Sequence, residues 1–138
     1  MINSVLFYNF NYKKIIFYKK KLAALSFSKT NTKRICFHNS INSNLQYMLI
    51  QLKKNSIFKF HKHVDSDEIV FMVSGKMKIK YFFNKKKKFV VLSKRNPFFS
   101  CKKNLIHSTE SLTKNCIYIE VKSGPFLKNK TVVYDSIK

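Results

Sequence analysis

From Leu45 onward the chain is a succession of short runs rich in β-branched and aromatic residues: LQYMLIQL, SIFKFHKH, EIVFMVSG, KMKIKYFF, KFVVLS and CIYIEVK. Each run is strand length, and the breaks between them are KKNS, VDSD, SGK, NKKKK and the KKN before His107. No second helical pattern interrupts the series. Many short strands joined by tight connections predict an all-β, antiparallel sandwich or barrel. In KMKIKYFF, Met77, Ile79, Tyr81 and Phe83 fall on one face, and Lys76, Lys78 and Lys80 on the other. NKKKK, residues 84–88, reads as a solvated hairpin tip, because adjacent like charges repel and resist burial.

Upstream the pattern differs. A helix is predicted over residues 12–26, with Ile15, Ile16, Tyr18, Leu22 and Leu25 near one face and lysines over much of the rest. It packs outside the main body. Residues 28–44 are polar and turn-rich, with a short strand expected over 34–37. The resulting division is an N-terminal extension with a helix over 1–33, a β domain over 34–127 and a C-terminal tail over 128–138.

At 138 residues the chain fits one domain, and 45% hydrophobic with 15% aromatic content is too rich for a disordered one. No run approaches the roughly 18 apolar residues of a membrane span. The net charge of +22, from 28 basic against 6 acidic residues, would ordinarily point to a polyanionic partner. Here the bias is general. Arg34 and Arg95 are the only arginines, and lysine is accompanied by abundant Asn, Ile, Phe and Tyr, residues that share A/T-rich codons. Cys36, Cys101 and Cys116 are too widely separated for a CxxC pair and read as reduced, mostly buried thiols. The N-terminus lacks an apolar core followed by a small-residue cleavage site, and its acid-free, amphipathic character comes without the arginines of a transit peptide. A cytoplasmic location is expected.

The scarce residue types gather in HKHVDSDEIVFMVSG, residues 61–75. His61 and His63 are two positions apart on a strand and project from one face, with Cα atoms ~6.5 Å apart by strand rise. Two imidazoles so placed can converge on one metal ion. Glu68 follows a four-residue turn and brings a carboxylate beside the pair, and Gly75 closes the next strand where φ > 0 is expected. Asp65 and Asp67 sit in the turn, where capping and solvation account for them.

HxH, four residues, E, six residues, G resembles the first signature of the cupin superfamily. His61, His63, Glu68 and Gly75 satisfy it without a gap. The resemblance implies a double-stranded β-helix, or jelly-roll barrel. It also implies one more histidine from a later strand, matched by His107 in KKNLIHSTESL, to complete a metal site of three histidines and one carboxylate. A narrower resemblance covers KRICFH, LQYMLIQL, the HxH stretch, IHSTESL and IEVKSGPF in order: the chain is similar to the WbuC-type cupin fold metalloproteins, small bacterial cupins associated with O-antigen polysaccharide biosynthesis. Two positions depart from the cupin pattern. Asn55 stands where a glycine usually opens the first signature, and KKN, residues 102–104, replaces the Pro-x-Gly before the last histidine. Both glycine positions carry asparagine, the residue other than glycine that most readily adopts the left-handed conformation.

The imidazole and carboxylate donors suit Fe, Mn, Ni, Zn or Cu as a divalent transition metal and leave one or two positions open for a Lewis-acid or oxygen-activating role. Four further residues are candidates for ligand binding. Arg34 reads as an anion-binding group or as an ion-pair partner of Glu120, and His38 as a pocket residue or a structural one. Glu120 and Lys122, at alternate positions of a strand, read as pocket residues or as a surface ion pair. The expected function is a small metal-binding cupin acting on or binding a sugar-derived metabolite, with homodimerisation as in many cupins. The competing expectations are a non-catalytic binding or sensing module or a degenerate relic and, last, a basic nucleic-acid-binding protein.

Overall fold

The computed structural model describes residues 4–137; positions 1–3 and 138, at the outer ends of the expected extension and tail, lie outside the described residues. Eleven strands and one α-helix are described: β1 (Val5–Phe7), α1 (Ile15–Ala24), β2 (Thr32–Cys36), β3 (Leu45–Leu52), β4 (His61–His63), β5 (Glu68–Ser74), β6 (Met77–Phe83), β7 (Lys86–Leu92), β8 (Phe98–Cys101), β9 (His107–Ser111), β10 (Cys116–Ser123) and β11 (Thr131–Val133). They form a six-stranded sheet in the order β1-β2-β3-β10-β5-β8 and a five-stranded sheet in the order β11-β4-β9-β6-β7. All described pairings are antiparallel except that of β1 with β2. This is the expected jelly roll.

The inner faces of the two sheets meet in a core that includes Met48, Ile50 and Leu52 of β3, Val70 and Met72 of β5, and Met77, Ile79 and Leu92 of β6 and β7. The opposite face of the larger sheet carries Ile35, Leu49 and Ile117, covered by Tyr18 and Leu22 of α1. This double cover explains why β3 reads as an almost unbroken apolar run: a strand buried on both faces has no solvent side to alternate with. Burying Leu22 completely contributes about 2 kcal/mol by area removed from water. The free thiols of Cys36, Cys101 and Cys116 are all buried, as expected.

Several expectations are corrected. Ile16 is 69% exposed and not on the packing face of α1, because Ile15, Tyr18, Leu22 and Leu25 follow the 3.6-residue period and Ile16 lies ~100° away. The run SIFKFHKH forms a strand only at its end, β4, with Ile57 held by an isolated bridge to Glu110. The tip in NKKKK is only Asn84 and Lys85, both at positive φ, which closes β6 onto β7 as a two-residue hairpin and leaves Lys86, Lys87 and Lys88 in the strand. The expected extension supplies β1 to the larger sheet, and the expected tail supplies β11 beside β4.

Turn chemistry at the departures from the cupin pattern is preserved. Asn55 has φ 61°, Asn104 has φ 66° and Gly75 has φ 79°. A Cβ at Gly75 would collide with the carbonyl oxygen of Asn115 and the hydroxyl of Thr113. The 102–104 turn is anchored to the site's other loop. Asp67 accepts from the Lys103 backbone N–H at 2.8 Å and from Lys102 Nζ at 3.0 Å, and the Asn104 N–H donates to the His63 carbonyl at 2.7 Å. The hydrogen bonds to Lys103 and Lys102 hold the Asp67 carboxyl below the usual carboxylate range.

Candidate metal centre

β4 and β9 are neighbours, and their register sets His61 opposite His107. His63, two residues along β4, shares that inward face. Ring centroids lie 4.3 Å apart for His61 and His107, 5.2 Å for His61 and His63, and 5.7 Å for His63 and His107. One nitrogen from each of the three rings lies within 4.8 Å of the other two. Metal–nitrogen bonds of about 2.1 Å place such donors about 3 to 4 Å apart, so small rotations of the rings complete a coordination sphere.

Each ring is held from behind through Nδ1. His61 Nδ1 is 2.9 Å from the Lys59 carbonyl, His63 Nδ1 is 3.1 Å from Thr131 Oγ1, and His107 Nδ1 is 3.0 Å from the Leu105 carbonyl and 3.1 Å from Cys101 Sγ. A carbonyl can only accept, so the satisfied tautomer of His61 and His107 has Nδ1–H donating outward and a lone pair on Nε2 directed into the site. Nε2 of His63 and of His107 are buried and make no hydrogen bond among the described residues. A buried nitrogen without a partner costs about 1–3 kcal/mol, and a coordinated ion removes that cost. The donor set therefore fits a transition metal.

Glu68, at the start of β5, is buried with Oε2 2.9 Å from His63 Nε2. The contact leaves His63 Nε2 against a carboxylate oxygen, so the two atoms lie close enough to serve one ion. Glu68 lies beside the three-nitrogen cluster rather than within it. Burial alone would raise its carboxyl, but the contact with His63 and the nearby His107 and Lys122 outweigh it, so the group stays ionised. Burial, reinforced by His107, lowers His61 from 6.5 to about 4, and burial likewise lowers His107. Neutral imidazoles and an ionised carboxylate are the forms that coordinate.

The site opens into a cavity of about 430 Å³ between the sheets. Arg34, Glu120 and Lys122 line it, so three of the four remaining candidates share the histidines' chamber. Glu120 takes Lys122 as its ion-pair partner, at 3.6 Å and with both side chains largely buried, rather than Arg34. Burial and the neighbouring Glu68 carboxylate raise the Glu120 carboxyl. His38 lies elsewhere. It is buried near Phe7, with Nδ1 accepting from the Tyr47 N–H at 3.2 Å, and does not line this cavity.

Sequence reasoning missed Thr131, Lys59, Thr109 and Cys101. Thr131 could have been found from TVVY, a β-branched run within the tail; Thr109 falls two residues beyond His107 and so on its face. Nothing local marks Cys101 or Lys59.

Similar chains in solved structures share the cupin fold. Oxalate decarboxylase from Bacillus subtilis at pH 4.6 is 19% identical with a TM-score of 0.60, covering 74% of this chain and 27% of its own. KdgF from Halomonas sp. is 16% identical with a TM-score of 0.59, covering 75% and 87%. QdtA, a sugar 3,4-ketoisomerase from Thermoanaerobacterium thermosaccharolyticum in complex with TDP, is 13% identical with a TM-score of 0.55, covering 66% of each chain. The chain thus spans about a quarter of oxalate decarboxylase, and at these identities the likeness is one of fold. No curated protein matches it in sequence. Among the described residues, no helix is long and apolar enough to cross a membrane. A family match covers residues 23–92, just over half of the chain, and takes in His61, His63, Glu68 and Gly75; the protein belongs to the family described as a domain of unknown function, DUF6016.

Proposed function

We propose that the protein binds one divalent transition metal, Fe, Mn, Ni, Zn or Cu, through His61, His63 and His107 with Glu68 as fourth ligand, and presents it to a small sugar-derived molecule in the adjoining cavity. The observation that carries this reading is the buried, unpartnered Nε2 of His107, clustered with nitrogens of His61 and of His63, whose own Nε2 lies against the Glu68 carboxylate. When bound, such an ion supplies Lewis acidity at an open coordination position. The sugar assignment draws on the WbuC-type resemblance, whose members are associated with O-antigen biosynthesis, and on a solved neighbour that is a sugar ketoisomerase.

The test is elemental analysis of protein purified without a histidine tag. About one equivalent of a transition metal per chain is expected, lost in the His61→Ala/His63→Ala double variant. Metal retained by that variant at wild-type affinity refutes the reading. The same centre serves a binding module without turnover; a small-molecule reaction that vanishes in Glu68→Gln assigns catalysis instead. Nucleic-acid binding finds less support. The lysines are spread along the whole chain, as the general compositional bias predicts, and the metal-cluster geometry has no role in that reading.

A further inference from the structure

Three cationic side chains and two carboxylates line the cavity beside the histidines. Their pairing is uneven. Lys59 is bound to Asp135 at 2.7 Å, outside the lining, and Lys122 to Glu120 at 3.6 Å; Glu68 lies against His63 at 2.9 Å. Arg34 is the cavity cation with no carboxylate within ion-pair distance among the described residues. Its guanidinium offers five N–H donors, and one side-chain bond is formed, from Nη2 to Thr32 Oγ1 at 3.2 Å. A half-buried guanidinium with most of its fork unused is matched to a planar or tetrahedral oxyanion.

The placement of Arg34 adds a length. It stands on β2, and Glu68 on β5, three strands away across the larger sheet. Three steps of about 4.8 Å make roughly 14 Å across the sheet, and the pairings set Arg34 level with Tyr118 and Met72, four residues along β5 from Glu68, so a ligand that reaches both the guanidinium and the histidine cluster spans several bonds. A third observation describes the middle of that ligand. Thr109, on the same face of β9 as His107, lines the cavity with its hydroxyl buried and without a hydrogen-bond partner. A ligand hydroxyl satisfies it. The cavity, about 430 Å³, falls within the usual range of small-molecule sites and admits a monosaccharide.

We infer that the ligand is a monosaccharide-sized, polyhydroxylated molecule carrying one oxyanion, carboxylate or phosphate, and that Arg34 receives the oxyanion while the opposite end faces the histidine centre. This rests on the metal-binding reading for the far end only; the contact at Arg34 is independent of it. A bound dication outweighs the ionised Glu68 carboxylate and, together with Arg34, leaves the cavity net positive, which favours an anionic guest over a neutral one.

The experiment is calorimetric titration of the metal-loaded full chain with D-glucuronate, D-glucose 6-phosphate and D-glucose. Either acid, or both, binds at least about tenfold tighter than glucose, and the acid that binds identifies the oxyanion as carboxylate or phosphate. In Arg34→Gln that advantage disappears, while metal content, measured separately, stays at the wild-type level. Arg34→Lys keeps the charge but loses the fork, and retains part of the advantage even if the Gln variant fails to fold. Equal binding of glucose and the acids, binding of none of the three, or an acid affinity unchanged in Arg34→Gln overturns the inference. Loss of metal stoichiometry with Arg34-dependent acid binding intact would instead count against the histidine centre alone.

Discussion

The metal-free protein loses stability on acidification in a window set by His61. Its ordinary value is 6.5, and burial together with the neighbouring His107 lowers it to about 4 in the folded chain. Above 6.5 the imidazole is neutral in both states and contributes nothing to pH dependence. Between 6.5 and about 4 the unfolded chain takes up a proton that the folded chain refuses, so stability is lost as pH falls. At about 1.4 kcal/mol for each pH unit, the whole window is worth about 3 kcal/mol. His107, also lowered, acts in the same direction. Glu120, raised by burial and by Glu68, acts oppositely: its contribution is present below its ordinary 4.5 and fades as pH rises through its folded value. The contribution of His61 is therefore read as a difference between wild type and His61→Gln, in which the other groups cancel. Urea unfolding followed by circular dichroism in the presence of EDTA, from about pH 7 to about pH 4, supplies the two curves. Wild type should lose about 3 kcal/mol more than the variant across that range. Parallel curves would show that the His61 ring is solvated, and that the burial argument for its neutral, ligand-ready state is wrong.

Thr131→Val keeps the shape of the residue behind His63 and removes the oxygen that holds Nδ1; metal affinity, measured by competition with a chromophoric chelator, should fall by roughly 10- to 100-fold. An unchanged affinity would mean that the rest of the shell orients His63 unaided. Gly75→Ala should cost about 2–4 kcal/mol in urea unfolding, because it combines a side chain at φ 79° with a Cβ driven into Asn115 and Thr113. Thr113 has little room to yield, since its hydroxyl accepts the Lys76 N–H at 2.9 Å. A cost under about 1 kcal/mol would show that the turn relaxes.

The strands that were legible in the sequence are those whose inward faces fill the core. β3, β5 and β6 carry Met, Ile, Leu and Val toward the opposing sheet, and β10 carries Cys116 and Tyr118 there with Ile117 and Ile119 toward the helix side; burial of that kind leaves a hydrophobic record. β9 showed no strand pattern of its own and entered only through the resemblance, for the converse reason: its inner face, His107, Thr109 and Ser111, is polar and borders the cavity at His107 and Thr109, so HSTES shows no apolar alternation. The histidines and Glu68 were legible because such residues are scarce in this chain. What supports them was not, because the groups behind His61 and His107 include backbone carbonyls, which carry no residue identity, and Thr131 is 68 positions from His63. Asp67 illustrates the limit well. Solvation in a turn accounted for it from sequence, whereas in the fold it ties the loop before Glu68 to the loop before His107.

β11 closes the open side of β4, pairing Thr131 with His63, Val132 with Lys62 and Val133 with His61. Without it the strand that carries two histidines would be the rim of its sheet, with free backbone groups beside metal-seeking side chains. One such rim per molecule would let two copies pair edge to edge around shared ions, and β11 occupies that edge in the intact chain. A chain clipped after Leu127 should shift to a dimer on addition of zinc, read by size-exclusion chromatography, at concentrations that leave the intact chain unchanged.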